Sequence, residues 1–371
     1  MQDDLTDGNH RDNGDESSLS ARERDRVTLA KIAREAGVNK STASRALHGD
    51  PSVADATRRR IQRLADELHY VPNASAMRLS NAQTNVLAFA SHGFVWKPAG
   101  SDPFLVELLT EITQRASAHG FDVLLCRYEP GERELETYRR VVLGRHADGL
   151  ILTDLRPNDP RLEYLCEQRY PHVLFGRSAA DLDEARRYPY PWVEVDNRAG
   201  ARLGTEHLLS LGHRRIAFVG GSEVYFCEAD RLMGYRDALE AGGVPFDPRL
   251  CVGGGTTHEE EDGYRLTCSL LEGANPPTAV FAFSDVVATG VMQAAREMGR
   301  AIGREFGIMG FDGLGLGNYT TPALTTLRQP IRYVGRMLVD LLHGALTGPP
   351  PEDPHLLLQP ELMVRASTIG D

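Results

Sequence analysis

Lys40, Ser41, Ser44 and Arg45 place two cations and two short hydroxyls on the outward side of one short helical stretch. Side chains of this kind donate hydrogen bonds to base edges and phosphate oxygens in a DNA major groove. Signals for catalysis are poor by comparison. Gly313-Leu-Gly-Leu-Gly317 imitates a dinucleotide-binding loop, but its third glycine is wrongly spaced and no helix clearly starts there. His207 and His213 lie six residues apart, so they do not share a helix face for a metal. No serine, cysteine and histidine arrangement suggests a nucleophile. The chemistry on offer is recognition, with no catalytic residue, metal or cofactor expected.

The elements that hold these residues follow from spacing. Leu29, Ile32, Ala33 and Ala36 recur at helical period behind Thr28, a good N-cap. Gly37 breaks the pattern where a chain leaving a helix needs positive φ. Asn39 then caps a second helix, Lys40 to Leu47, that buries Ala43, Ala46 and Leu47. Two short helices crossing through small apolar residues describe a helix-turn-helix. An ordinary αα-hairpin is the bland alternative, and the continuation argues against it. Pro51 to Tyr70 gives a third helix with Ile61, Leu64, Ala65 and Leu68 inward and Arg58, Arg59, Arg60 and Arg63 outward. Pro72 and Asn73 start a short fourth helix that ends near Leu79.

Over Val27 to Ser80 the chain closely resembles the DNA-binding head of the lactose-repressor (LacI/GalR) family of bacterial transcription regulators. The resemblance implies that the second helix enters the major groove, with Lys40, Ser41 and Arg45 at base- and backbone-contacting positions. Thr28, Asn39, Thr42 and Ser44 complete that implied interface. It further implies that Asn73 to Ser80 is a hinge helix that folds on the operator and lies in the minor groove. There Asn73 and Ala76 face DNA and Leu79 is the wedge that kinks it, at a cost in stacking that a larger contact surface offsets. One departure is Ala54, which stands where the family usually has a serine cap for the third helix.

The net charge of −11 on 371 residues is unevenly spread. Residues 1–21 carry six acids and one arginine, whereas residues 22–80 carry twelve Lys/Arg against seven Asp/Glu. A basic head on an acidic body is the footprint of a protein that is drawn to phosphate at one end only. Residues 1–25 read as a disordered acidic tail or an over-long start, since the head needs nothing before Arg26. The five cysteines are scattered without any CxxC, which fits reduced core residues in a bacterial cytoplasm. No apolar run approaches the ~20 residues that span a bilayer, so no membrane partner is expected.

From Val86 onward short apolar strands alternate with helices, which indicates doubly wound parallel sheets, two by count. Ligands in such sheets bind at the carboxyl ends of the strands. The resemblance extends through Val195-Asp-Asn197, Leu211-Gly-His-Arg-Arg-Ile-Ala-Phe-Val219, Arg231-Leu-Met-Gly-Tyr235, Phe283-Ser-Asp285, Met309-Gly-Phe-Asp312 and Pro322-Ala-Leu-Thr-Thr326 to Pro360-Glu-Leu-Met-Val-Arg-Ala-Ser-Thr368. It implies an α/β fold with an all-α head and hinge at 26–81. The core at 82–371 is then the two-lobed, periplasmic-binding-protein-like type with three crossovers. Lobe N is expected at about 84–193 and 329–348, and lobe C at about 194–328 and 355–368.

Several residues near strand ends are candidates for the ligand. Taken alone, Arg231 reads as a surface arginine and Asp312 as a turn residue before Gly313; the resemblance implies a bidentate donor and a hydroxyl acceptor. Asp285 either binds the effector or caps the helix from Val286. Asp102 and Phe104 offer an acceptor and a stacking ring, and Arg177 a third polar contact. His258, beside Glu259, Glu260, Glu261 and Asp262, binds ligand or is simply solvated. Arginine, aspartates and an aromatic suit a hydroxyl-rich ligand such as a sugar.

The expectation is a cytoplasmic homodimer on a palindromic operator in double-stranded DNA, a repressor whose grip on DNA is set by a sugar-like effector. A purine-type co-repressor logic or activation stays open, and a solute-binding protein or an enzyme on the same core is more remote. No heptad tail follows Thr368, so a dimer is expected and not a tetramer.

Overall fold

The computed structural model describes residues 27–47, 49–70, 83–92, 102–129, 131, 133–177, 190–221, 224–253, 259–348 and 354–370. The sequence-based assignments for residues 1–26, for the hinge helix with Asn73, Ala76 and Leu79, and for His258 lie outside them. The chain divides into two compact units, with the boundary between Thr84 and Asn85.

Among the described residues the first unit holds α1 (Leu29–Glu35), α2 (Lys40–Leu47) and α3 (Asp55–Glu67). Local chemistry starts each helix. Thr28 Oγ1 accepts from the Lys31 N–H at 3.3 Å, and Asn39 Oδ1 accepts from the Thr42 N–H at 2.7 Å. Gly37, at φ +62°, makes the turn between them. Ile32, Ala36, Ala46, Val53, Ile61 and Ala65 form the core, where alanines let α1 and α2 approach closely. Helix α3 has no side-chain cap at Ala54, as its residue type dictates. Of the four arginines expected outward, Arg59, Arg60 and Arg63 are exposed and Arg58 departs. Arg58 is half-buried and donates to the Asp50 and Val53 carbonyls at 3.1 and 3.0 Å, while Arg60 donates to the carbonyl of Ala36 at the end of α1. Turn carbonyls left over by helix ends need donors, and long guanidinium side chains on α3 reach them.

The second unit holds two six-stranded sheets. Their elements run β1 (Val86–Ser91), α4 (Pro103–Ala118), β2 (Asp122–Arg127), α5 (Glu134–Leu143), β3 (Gly149–Leu152), α6 (Pro160–Glu167), β4 (His172–Phe175) and β5 (Trp192–Val195). There follow α7 (Asn197–Ser210), β6 (Ile216–Val219), α8 (Phe226–Ala241), β7 (Cys251–Val252), α9 (Glu260–Leu271), β8 (Ala279–Ala282), α10 (Asp285–Glu297), β9 (Gly307–Asp312) and β10 (Thr325–Arg328). The chain ends with α11 (Ile331–Thr347), β11 (His355–Leu358), β12 (Glu361–Met363) and α12 (Ala366–Ile369). The sheet orders are β11-β5-β4-β3-β1-β2 and β12-β10-β9-β8-β6-β7, and among the described residues only the β10–β12 pair is antiparallel. Central strands such as β1, β3, β8 and β9 are buried along their whole length, which is why they read as unbroken apolar runs.

Helices cover both faces. Helix α11 packs on α4 through Leu108, Ile112, Val334 and Leu338 over the first sheet. On the second sheet α9 and α10 touch backbone to backbone, and a Cβ on Gly290 would fall 1.8 Å from the Glu260 carbonyl oxygen. Any larger residue there forces the helices apart.

The chain passes between lobes three times: between β5 and α7, between β10 and α11, and between β11 and β12. One boundary differs from the expectation. Residues 355–358 do not belong with lobe C; they form β11, parallel to Trp192–Val195 at the edge of the first sheet. The second lobe's contribution from the C-terminal segment begins only at β12. These last strands are short and carry mixed residues, so their pairing partner is set by tertiary geometry and not by pattern.

Candidate functional site

Most first-sheet strands and their second-sheet counterparts deliver side chains to one cavity of about 1010 Å3 between the lobes. That is at the upper end of the ~300–1,000 Å3 typical of small-molecule sites. Each contribution comes just past, or at, a strand's carboxyl end. His92 follows β1, Thr153 and Asp154 follow β3, and Phe175 and Glu194 end β4 and β5. Tyr225 follows β6, Phe283 and Ser284 follow β8, Asp312 ends β9 and Gln329 follows β10.

Arg231, on α8, is the centre of the floor. It is 5% exposed, with its guanidinium 3.7 Å from the Phe311 ring centroid and 4.6 Å from that of Phe283. Its Nε donates to Asn197 Oδ1 at 2.8 Å, Nη1 to the Phe283 carbonyl at 2.7 Å and Nη2 to Asp312 Oδ1 at 3.5 Å. Asn197 in turn donates to Glu194 Oε1 at 2.8 Å, and Gln329 Nε2 donates to Asp312 Oδ1 at 2.8 Å. The network therefore joins residues at two of the three crossovers, Glu194 and Asn197 at the first and Gln329 at the second. Burial pushes the Glu194 carboxyl up to about 7. It also lifts Asp312 to about 6, even though Arg231 opposes the rise. Asp312 and Asp154 both hold positive φ, +117° and +59°. Such backbone is costly for non-glycine residues, and of the seven described ones that adopt it these two line the cavity.

The opposite wall joins the lobes. His92 stacks on Tyr225 with ring centroids 5.4 Å apart; its Nε2 meets the Tyr225 hydroxyl at 3.1 Å and its Nδ1 meets Asp154 Oδ2 at 3.1 Å. Burial alone would raise the Asp154 carboxyl, but hydrogen bonds from His92 and Thr153 outweigh it and hold it low. Beneath, the fully buried Arg161 donates to the Asp154 carbonyl at 2.7 Å and forms an ion pair with Asp159, which anchors this loop. A second cross-lobe link is the Phe226 N–H to the Leu155 carbonyl at 3.1 Å.

Of the ligand residues expected from sequence, Asp102, Phe104, Arg231 and Asp312 line this cavity. Asp102 also caps α4 through the Phe104 N–H at 2.9 Å, and Phe104 stacks on Phe175. Two expectations are corrected. Asp285 is fully buried below the floor, where its carboxylate takes the Leu314 N–H at 2.7 Å and the Thr326 hydroxyl at 2.5 Å. It does not reach the cavity, and Ser284, not Asp285, caps α10. Burial and then the neighbouring Asp312 push its carboxyl up to about 8. Arg177 is not among the lining residues; its guanidinium turns to Asp230 on α8, tying the lobes together. His92, Asp154, Asn197, Tyr225 and Gln329 were not expected. The strand-end rule applied to every strand points to them, but nothing in their residue types does.

In the head, Lys40, Ser41 and Arg45 are exposed on α2, with Thr42 and Ser44 half-buried beside them. Thr28 and Asn39 commit a side-chain oxygen to helix capping while staying exposed. Among the described residues no cluster of His, Cys, Asp and Glu could hold a metal, and no helix is long and apolar enough to cross a membrane.

Residues 28–73 match the family model described as bacterial regulatory proteins, lacI family, and residues 205–368 match a periplasmic binding protein-like domain. The HTH-type transcriptional regulator CelR of Thermobifida fusca is 33% identical over 93% of this chain and 99% of its own length. The HTH-type transcriptional repressor CytR of Escherichia coli is 31% identical over 92% of this chain and 96% of its own. Among solved structures, a lac repressor dimer bound to operator and the anti-inducer ONPF aligns with a TM-score of 0.76 at 25% identity, covering 93% and 99% of the two chains. A CelR–cellobiose complex aligns at 0.69 and 31% identity, covering 92% and 100%.

Proposed function

The chain belongs to the LacI family of bacterial regulatory proteins, and we propose that it is a cytoplasmic repressor whose operator affinity is set by an uncharged, sugar-like effector held between the core lobes. The observation that carries the effector is the buried Glu194–Asn197–Arg231–Asp312–Gln329 network. It presents charged and amide groups to a cavity that a polyhydroxylated ligand can satisfy on several sides. Related proteins with cellobiose, or with an operator and an anti-inducer, support the same reading.

Charge narrows the class. Among the described residues Asp102, Asp154, Glu228, Glu259, Glu260 and Glu261 line the cavity as carboxylates, with the raised Glu194 and Asp312 beside them, against Arg231 as the one Arg or Lys. An acid-lined cleft of low dielectric repels anions, so sugar phosphates and sugar acids are poor ligands while neutral sugars are not.

Two chains pair so that two heads meet a palindromic site, because protein and half-site symmetry must agree. The effector touches groups of both lobes next to the crossovers, and it favours one relative setting of the lobes over the other. The cross-lobe links His92–Tyr225 and Arg177–Asp230 are the contacts such a movement remakes. A ligand shifts the balance only by its difference in affinity for the two settings.

Thermal unfolding against neutral mono- and disaccharides, their phosphates and nucleobases tests the effector class. A ligand at a hundred times its dissociation constant adds ~2.7 kcal/mol of stability. The expected result is a rise in melting temperature with a neutral sugar and none with its phosphate. A rise with purines alone contradicts the sugar reading and favours a co-repressor.

A further inference from the structure

The effector cavity does not end at its own rim. A second hollow of about 370 Å3 adjoins it and shares Glu260, Thr289 and Gln293 as common wall. Its far side is formed by Arg296, Tyr319 and Thr320. Tyr319 is 89% exposed, the most exposed of the large hydrophobic side chains among the described residues.

The ledge that carries this ring is firmly built. The Tyr319 N–H donates to the Leu316 carbonyl at 3.0 Å, at the end of a 3-10 turn over Gly315–Asn318. Thr320 Oγ1 donates to the Pro322 carbonyl at 2.9 Å, and Arg296 Nη2 on α10 donates to the Thr321 carbonyl at 2.8 Å. Leu316, one turn back, itself lines the main cavity. The backbone that carries the ring is thus held at a fixed offset from the effector site on the same lobe.

We propose that this hollow is a distal subsite for a further sugar ring, so that the effector is an oligosaccharide of two or three neutral rings and not a monosaccharide; this rests on the sugar reading above. A ring in the main cavity leaves its outward glycosidic oxygen near Gln293, whose amide gives one N–H to Glu297 Oε1 at 3.0 Å and has a second N–H for it; Thr289 Oγ1 donates to the Val286 carbonyl at 2.6 Å and serves as an acceptor for a ring hydroxyl. The next ring then reaches the ledge. There the polarised C–H face of a pyranose packs on the electron-rich face of Tyr319, which keeps its hydroxyl wet. Glu260 and Arg296 flank it as acceptor and donor for ring hydroxyls.

Calorimetric titration of the full chain with gluco-, galacto-, manno- and xylo-saccharides of one, two and three rings tests the subsite. In the series that binds, affinity rises about tenfold or more from one ring to two or three. Tyr319→Ala removes about fivefold of that gain and leaves the monosaccharide unchanged, while Tyr319→Phe keeps it. Because the ring is exposed, neither substitution threatens the fold. Equal affinity at every length, or an equal loss for one ring and three in Tyr319→Ala, overturns the subsite and leaves the sugar reading intact. Silence of all four series overturns the sugar reading and the subsite with it.

Discussion

Arg231→Lys is expected to abolish the response to effector while the head keeps its affinity for DNA. Lysine preserves the charge but not the fork that meets Asn197, the Phe283 carbonyl and Asp312 together. A single ammonium cannot hold these partners and also turn a donor to the ligand, and it loses the stacked setting between Phe283 and Phe311. Losing one or two charge-assisted hydrogen bonds at ~1.5–3 kcal/mol each weakens effector binding by about 100-fold. Arg231→Ala goes further, because it leaves the 7%-exposed Asp312 without its cation. Breaking such a pair costs about 3 kcal/mol. The carboxyl of Asp312 already stands at about 6, above its ordinary value, so it protonates readily and relieves part of the loss. The alanine variant is therefore less impaired at pH 5 than at pH 7.5 in urea denaturation, since loss of Arg231 raises the Asp312 carboxyl further and leaves it neutral in the folded variant at the lower pH. Unchanged effector binding in the lysine variant would remove Arg231 from the site.

Arg45→Ala is expected to weaken binding to the specific site by about 10- to 100-fold per head, from ~1–3 kcal/mol for one lost base contact. The residue is exposed on α2 and contributes nothing to the Ile32–Ile61 core, so the head stays folded. Two heads on one palindrome lose the contact twice. Binding to unrelated DNA falls much less, because its phosphate contacts carry no sequence information. The effector affinity of the core is unchanged. Loss of both activities would mean that Arg45 is needed for folding.

The head was legible because its signals are local. Thr28 and Asn39 cap the helices they precede, Gly37 makes the turn, and Ala54 leaves α3 uncapped. Charge pattern misled at Arg58, which is half-buried and donates to the Asp50 and Val53 carbonyls, whereas Arg60 stays exposed as expected. In the core, apolar runs announced the central strands. The terminal strands β10, β11 and β12 are short and mixed, and β11 pairs with β5 across some 160 residues of chain, which no local pattern encodes. The same limit applied to the site. A carboxylate after a strand was expected to face ligand, and Asp312 lines the cavity while Asp285 lies beneath it on Thr326 and the Leu314 N–H. Residue type does not separate these two; the side of the sheet end does. His92 and Tyr225 meet only because the lobes bring them together.

The most direct measurement is fluorescence anisotropy of the full chain on a palindromic duplex selected from a random pool, with and without the sugar that raises its melting temperature. Head and cleft acting as one switch require the operator dissociation constant to change by about 5- to 150-fold, the ~1–3 kcal/mol typical of coupled sites. For a repressor released by its effector the change is a weakening. A sugar that stabilises the core yet leaves operator affinity unmoved would show that the cleft binds a ligand without controlling the head.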